Sequence, residues 1–346
     1  MKTIKEFTVT GKRILVRCDF NVPLDDNGDI LDDFKIRETL PTIKYLIEEK
    51  AKIILMSHLD PESTGVAAPK YTLDKVGERL TEYLKISIKK ENDCVGPEIE
   101  GQSHLLGDGE ILLLENLRFH KEESEGNLEF AQKLAYLGDI YVNDAFGVDH
   151  RNNASLTGVP KFMPYCAGLL LDKEVKALDL IMKSPEKPMV AIVGGKKVET
   201  KAKFINKISE VADFVLVSGL IAKEIGEKNI KFDHPEKIVV PVGKLDALDI
   251  SPETIKIFQD KILKARTVLW NGPFGKFEEE KYAKGSLAIA NAIIESGAFS
   301  VVGGGETVEF LEKESMIDKF SHVSTGGGAM LSYLSGDEMP GIDALI

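Results

Sequence analysis

The sequence predicts an α/β fold of two parallel-sheet domains, and three features predict it. The chain has 346 residues, too many for one ordinary domain and comfortable for two. Short apolar runs recur along it without the polar alternation of a half-exposed strand. Strands of that kind are covered on both faces, as in a parallel sheet flanked by helices. The runs end at Gly, Asn, Asp or His, and amphipathic stretches follow them. A composition of 43% hydrophobic and 29% charged residues supplies the cores such a fold needs.

In chain order, the first half offers "RILVRCDFNVP" (13–23), "KIILMSHL" (52–59), "ILLLENLRF" (111–119) and "DIYVNDAFG" (139–147) as strands with their ends. The second half offers "MVAIVGG" (189–195), "FVLVSGL" (214–220), "KIVVPVG" (237–243), "TVLWNGP" (267–273), "FSVVGGG" (299–305) and "SHVSTGGG" (321–328). Helical stretches lie between them: 36–50, 251–265 and 282–295. The second of these starts at Ser251 as N-cap, with Pro252 at the first helical position and Glu253 in the first turn. The stretch 165–183, apolar at helical spacing and followed by "SPEKP", reads as a helix and linker joining two domains. The final "YLSGDEMPGIDALI" is a tail whose apolar residues should dock. Ligands of open parallel sheets bind at the carboxyl ends of the strands, and the polar words of this sequence sit there.

Charge and cysteines narrow the class. With 44 Lys and Arg against 56 Asp and Glu, the net charge is −12, which argues against a general nucleic-acid binder. A few local cations can still hold a small phosphorylated ligand. Cys18, Cys94 and Cys166 lie far apart and read as free thiols of a reducing compartment. The start "MKTIKEFTVTGKR" has no apolar signal core, and no run of 18 apolar residues occurs. A cytoplasmic protein without a membrane partner is the expectation.

Several strand ends carry chemistry. In "AIVGGKKVETK" (191–201) an apolar run stops on Gly194-Gly195, Lys196 and Lys197 follow at once, and Lys201 comes one helical turn later. An isolated Gly-Gly-Lys-Lys is commonly a solvated pair at a helix start. Cations are unfavourable at a helix N-terminus, however, so an anionic ligand is the sharper reading. "VSTGGGAM" (323–330) lacks the G-x-x-x-x-G-K-[ST] spacing and is no Walker A loop, yet its N–H groups can nest an anion at a helix start. "GGGET" (303–307) is similar. Asp19, Asn21, His58 and Arg118 follow strand ends in the first half, and Arg151 follows "NDAFGVDH". Arginine clamps carboxylate and phosphate through parallel N–H donors. Singly these are ordinary satisfied residues; their convergence at strand ends favours a site for an acid.

Seven words in order, "VRCDFNVPL", "MSHL", "LLLENLRFH", "YVNDAFG", "VLWNGPFGKFE", "VVGGGET" and "FSHVSTGGGA", closely resemble the phosphoglycerate kinase family. The resemblance runs from about Gly11 to "MPGIDAL". It implies two Rossmann-like, doubly wound parallel-sheet domains joined by a hinge helix. The expected boundaries are a phosphoglycerate-binding domain at 1–167, an interdomain helix at 168–183, a nucleotide-binding domain at 184–332, and a tail at 333–346 docking near the hinge or the first domain. It also implies reversible phosphoryl transfer between 1,3-bisphosphoglycerate with ADP and 3-phosphoglycerate with ATP, by a monomeric, cytoplasmic glycolytic enzyme using Mg²⁺ and binding no nucleic acid. By the same resemblance Lys197, Lys35 and Gly327 are catalytic. Asp19, Asn21, Lys35, His58, Arg118 and Arg151 bind the acid. On the nucleotide side stand Gly195, Lys197, Lys201, Gly219, Asn271, Pro273 and Glu278. Gly303, Gly304, Gly305, Glu306 and Thr307 join them, with Gly326, Gly327 and Gly328, and Glu306 meets Mg²⁺ through the nucleotide.

The chain also departs from the pattern. Lys35 stands for an arginine, "SHLDPES" lacks an arginine and adds Asp60, and Asn153 replaces a substrate-contacting histidine. "SGL" (218–220) replaces three glycines, Lys196 is an extra cation, and Glu306 replaces an aspartate. The stretch between Ile221 and Ser251 is several dozen residues short. Much of the adenine pocket is therefore expected to be missing, with weak nucleotide binding and little base preference. These departures keep two alternatives open: a paralogue for another small carboxylic acid or phosphate donor, and a non-catalytic binding protein on the same scaffold.

Overall fold

The computed structural model describes residues 1–59, 68–195 and 201–346. They divide into two compact units, Met1–Lys173 with Glu338–Ile346, and Glu174–Asp337. The first contains β1 (Arg13–Cys18), β2 (Lys52–Met56), β3 (Ile88–Lys90), β4 (Ile111–Leu113), β5 (Ile140–Asp144) and β6 (Tyr165–Ala167) in one sheet ordered β3-β4-β2-β1-β5-β6. Its neighbouring strands pair in parallel. β1, β2, β4 and β5 are buried along almost their whole length, as their lack of alternation predicts. The segment Glu338–Ile346 closes this unit. Met339, Ile342 and Leu345 are buried, and the Gly341 N–H donates to the Asp149 carbonyl at 2.9 Å.

The second unit holds β7 (Met189–Val193), β8 (Phe214–Val217), β9 (Ile238–Val239), β10 (Thr267–Asn271), β11 (Phe299–Gly303) and β12 (His322–Val323). Their order, β9-β8-β7-β10-β11-β12, is that of a doubly wound Rossmann sheet. The winding reverses between β7 and β10, so the crevice of this sheet opens where Gly194 and Asn271 end those two strands. Trp270, the chain's single tryptophan, is fully buried on β10 and satisfies its indole N–H on the Gly272 carbonyl at 2.9 Å.

The helices follow the sequence pattern closely. One runs Pro252–Ile262 behind Ser251, whose Oγ accepts from the Thr254 N–H at 3.2 Å. Others run Phe34–Glu48, Lys284–Ser296 and Leu169–Lys183. The strand pattern needs three corrections. β3 lies in a stretch that shows no strand signal. β6 lies at the head of the stretch read as helix from 165, and pairing with β5 holds it extended until the helix starts at Leu169. "KIVVPVG" and "SHVSTGGG" shrink to two paired residues each, because both are edge strands with a partner on one side only.

Candidate active site

In the first unit the carboxyl ends of β1 and β2 place Asp19 and His58, and the first turn of the helix Phe34–Glu48 brings Lys35 to Asp19. Asp19 is buried and accepts from Lys35 Nζ at 2.8 Å and from the Asn21 N–H at 3.1 Å. Burial opposes its charge, but Lys35 foremost, then His58 and Arg17, outweigh that and bring its pKa down to about 2. His58 lies 4.0 Å from Asp19 and is fully buried. Burial first, then the Arg17 charge, holds the imidazole neutral. Its Nδ1 sits 3.2 Å from Arg17 Nη2. Neutral His58 therefore accepts there and carries its proton on Nε2, which has no partner among the described residues.

The sequence does not point to Arg17 as part of this site. It is fully buried, donates from Nε to Ser155 Oγ at 2.8 Å, and lies 4.0 Å from the equally buried Glu123. The "VRC" of the strand signals only an interrupted apolar run, and a partner 106 positions later leaves no local trace. Arg118 is buried and donates from Nη1 to Ser124 Oγ at 2.7 Å. Arg151 is half-buried beside His150. Asn153 turns to the protein, donating to the Glu123 carbonyl at 3.1 Å.

In the second unit the two glycines at the end of β7 have a steric cause. A Cβ on Gly194 would lie 2.2 Å from the Gly272 carbonyl oxygen, so the ends of β7 and β10 can approach only with a glycine there. Lys201 bonds the Gly194 carbonyl. Burial pulls its pKa down to about 8, with the Glu306 carboxylate opposing. Lys197, like Lys196 and Asp60, lies outside the described residues.

Three helices start at this edge: Gly219–Glu227, Gly305–Lys313 and Gly327–Leu334. Ser218 ties the first to β7, donating from Oγ to the Gly195 carbonyl at 2.8 Å. Thr307 ties the second to β10, its Oγ1 accepting from the Gly272 N–H at 2.8 Å. Asn271 Nδ2 donates to the Gly303 carbonyl at 3.0 Å. A Cβ on Gly327 would meet Gly304 Cα at 3.0 Å, so the second and third helix starts are adjacent. Helix-start N–H groups and positive dipole ends thus converge. Pro273 is buried, while Glu278 and Glu306 are exposed.

Gly195, Gly219, Pro273, Glu278 and Glu306 line one cavity of 230 Å³. Val242, Leu245 and Leu248 from the shortened stretch form part of its wall, with Phe274 and Phe277. The shortened stretch, expected to lack much of the adenine pocket, thus still supplies an apolar part of this wall. Residues 241–251 pack against the start of the Gly219 helix so closely that a Cβ on Gly219 would lie 2.1 Å from the Leu245 carbonyl oxygen.

A sequence model of the phosphoglycerate kinase family matches residues 4–229 and 227–337. This chain belongs to the phosphoglycerate kinase family. It is 40% identical to the phosphoglycerate kinase of Pelotomaculum thermopropionicum, over 100% of this chain and 99% of that protein. To that of Dictyoglomus turgidum it is 41% identical, over 99% and 97%. A solved phosphoglycerate kinase from Pyrococcus horikoshii superposes with a TM-score of 0.89 at 30% identity, covering 100% of this chain and 98% of that one. One from Coxiella burnetii does so at 0.83 and 32%, covering 99% and 98%. The first of these alignments runs over 390 positions, 44 more than the 346 residues here. The two matched segments of the family model meet at residues 227–229, inside the shortened stretch.

Proposed function

We propose that this family member catalyses reversible phosphoryl transfer between 3-phosphoglycerate with ATP and 1,3-bisphosphoglycerate with ADP. The observation that carries the reading is the meeting of three helix starts with the desolvated Lys201 at the crevice of the second sheet, beside a cavity with apolar walls. That arrangement suits a polyphosphate attached to a flat apolar group. In the direction that uses ATP, an ionised carboxylate oxygen of 3-phosphoglycerate attacks the γ-phosphorus. One P–O bond forms, the bond to the β,γ-bridging oxygen breaks, and ADP leaves with that electron pair. A carboxylate needs no base to deprotonate it, so catalysis is positioning and charge stabilisation.

In this reading Asp19, Asn21, His58, Arg118 and Arg151 hold the acid. His58 offers its Nε2–H, the orphaned buried donor, to an acid oxygen. Lys35 enters already paired to Asp19 and shares its remaining donors with the substrate, as a point charge where an arginine would give a fork. On the nucleotide side Lys197, Lys201 and the N–H groups of Gly219, Gly304, Gly305, Gly327 and Gly328 take the phosphates. Glu306, an exposed hard-oxygen donor at the cavity, suits Mg²⁺. Bound with the nucleotide, that ion would neutralise charge on the phosphate oxygens. Val242, Leu245 and Leu248 contact the base, so ATP should bind more tightly than tripolyphosphate.

The reading includes a monomer in the cytoplasm. The free, buried state of all three cysteines suits a reducing compartment, and no helix among the described residues is long and apolar enough to cross a membrane. A coupled assay with 3-phosphoglycerate and Mg-ATP tests the activity. Turnover that requires both is expected. Nucleotide binding without turnover on any phosphorylated acid would replace the reading with a non-catalytic one.

A further inference from the structure

Away from the proposed active site, the geometry points to a binding site for a borderline-soft divalent cation, Zn²⁺ above all, formed by Asp93, Cys94 and His120. Asp93 and Cys94 follow β3, and His120 follows β4 through the short helix Leu117–Phe119. β3 and β4 are neighbours at the edge of their sheet, so the two loops leave it side by side. A carboxylate oxygen, a sulfur and an imidazole nitrogen from these residues all lie within 4.8 Å of one another. His120 Nε2 is 2.7 Å from Asp93 Oδ1. A tetrahedral ion with bonds near 2.0–2.1 Å sets such a pair roughly 3.3 Å apart, so the two ligands need to part by only roughly half an ångström.

The ligands are held in place by groups that would not themselves bind the ion. Asp93 accepts from the Cys94 N–H at 2.6 Å, and its carbonyl accepts from the Glu115 N–H at 3.3 Å. The Cys94 thiol donates to the Glu115 carbonyl at 2.9 Å, a bond that is exchanged for the metal–sulfur bond when the ion binds. The His120 ring packs on Phe130 with centroids 4.9 Å apart. Cys94 is buried, His120 is partly exposed and Asp93 is exposed, which leaves one open side for a water as fourth ligand.

The donor set decides the class of ion. Mg²⁺ and Ca²⁺ take oxygen ligands, whereas sulfur and imidazole nitrogen together select Zn²⁺ or its substitute Co²⁺. On binding, the Cys94 thiol proton and the proton between His120 Nε2 and Asp93 Oδ1 are displaced to solvent or, for the imidazole, to Nδ1. Metal–sulfur and metal–nitrogen bonds form, and no electron changes hands. The ion would clip the β3 loop to the segment that carries Arg118 two residues before His120.

The test is a Co²⁺ titration of the full chain, followed by near-ultraviolet absorption. One equivalent per chain should bind with a thiolate-to-cobalt band that Zn²⁺ displaces and excess Mg²⁺ does not. Cys94→Ser should remove the band, and Cys166→Ser should keep it. His120→Ala, at a partly exposed position, should weaken binding beyond the roughly 10–100-fold that losing an outer-shell partner costs, while circular dichroism shows the fold retained. No band in the parent chain, or a band and affinity unchanged in His120→Ala, overturns the proposal.

Discussion

Replacing Lys201 with methionine should make the folded chain more stable while weakening its hold on nucleotide. The reason is the burial of this ammonium group, which brings its pKa from 10.5 down to about 8. At about 1.4 kcal/mol per unit, holding the charge there costs the folded state about 3 kcal/mol at neutral pH. Methionine fills nearly the same space without the charge. It also gives up the bond to the Gly194 carbonyl, a loss of about 1 kcal/mol. The net gain should be about 2 kcal/mol. The pH dependence fixes the cause. Between about pH 8 and 10.5 the unfolded chain keeps a proton that the folded chain has released, so the parent gains stability over that window. The advantage of methionine should be greatest below pH 8 and fade toward pH 10.5. Urea unfolding followed by the fluorescence of Trp270, on the strand that pairs with β7 in the same unit as Lys201, reads this directly at pH 7 and pH 10. A variant that is less stable at pH 7, or that gains as much at pH 10, would refute the argument. Calorimetry with ATP should show weaker binding in the same variant.

Two further outcomes follow from the geometry and a third from the family resemblance of Lys197. Gly219→Ala places a Cβ 2.1 Å from the Leu245 carbonyl and must displace the cavity wall. Overpacking of about 1–3 kcal/mol should lower the stability of the fold by that amount, and the displaced wall should weaken ATP binding more than tripolyphosphate binding; equal loss for both ligands would remove the base from this cavity. Asp19 has its pKa lowered from 3.8 to about 2. It should therefore contribute about 2 kcal/mol above pH 4 that is lost as the pH falls through 2; Asp19→Asn should flatten acid unfolding seen by circular dichroism, and an unchanged acid midpoint would contradict the ion pair with Lys35. Lys197→Ala should lower kcat by about 3–4 kcal/mol of transition-state stabilisation with a much smaller change in nucleotide affinity, and an unaltered kcat would remove Lys197 from the chemistry.

What the sequence can show depends on whether neighbours along the chain are also neighbours in space. β1, β7 and β10 are buried on both faces, and their composition alone says so. β3 and β6 are three residues long and extended only through pairing with β4 and β5, so no local pattern marks them. Asp19 and His58 are legible because each ends a strand. Arg17 is not, since its fitness for burial depends on Glu123 and Ser155. The wall made by Leu245 and Leu248 escapes the sequence for a related reason: length comparison shows that residues are absent, but not that those remaining fold back onto Gly219.

The segment Glu338–Ile346 belongs to the first unit, although the whole of Glu174–Asp337 comes between. Protein synthesis runs one way. When a ribosome has delivered residue 173 it has made every strand of the first sheet, but not Gly341, whose carbonyl lies 3.4 Å from Asn143 Nδ2 and whose N–H bonds the Asp149 carbonyl. The first unit must wait, unsealed at that edge, while the second is translated and free to fold. The order in which the units emerge is thus the reverse of the order in which they can be completed.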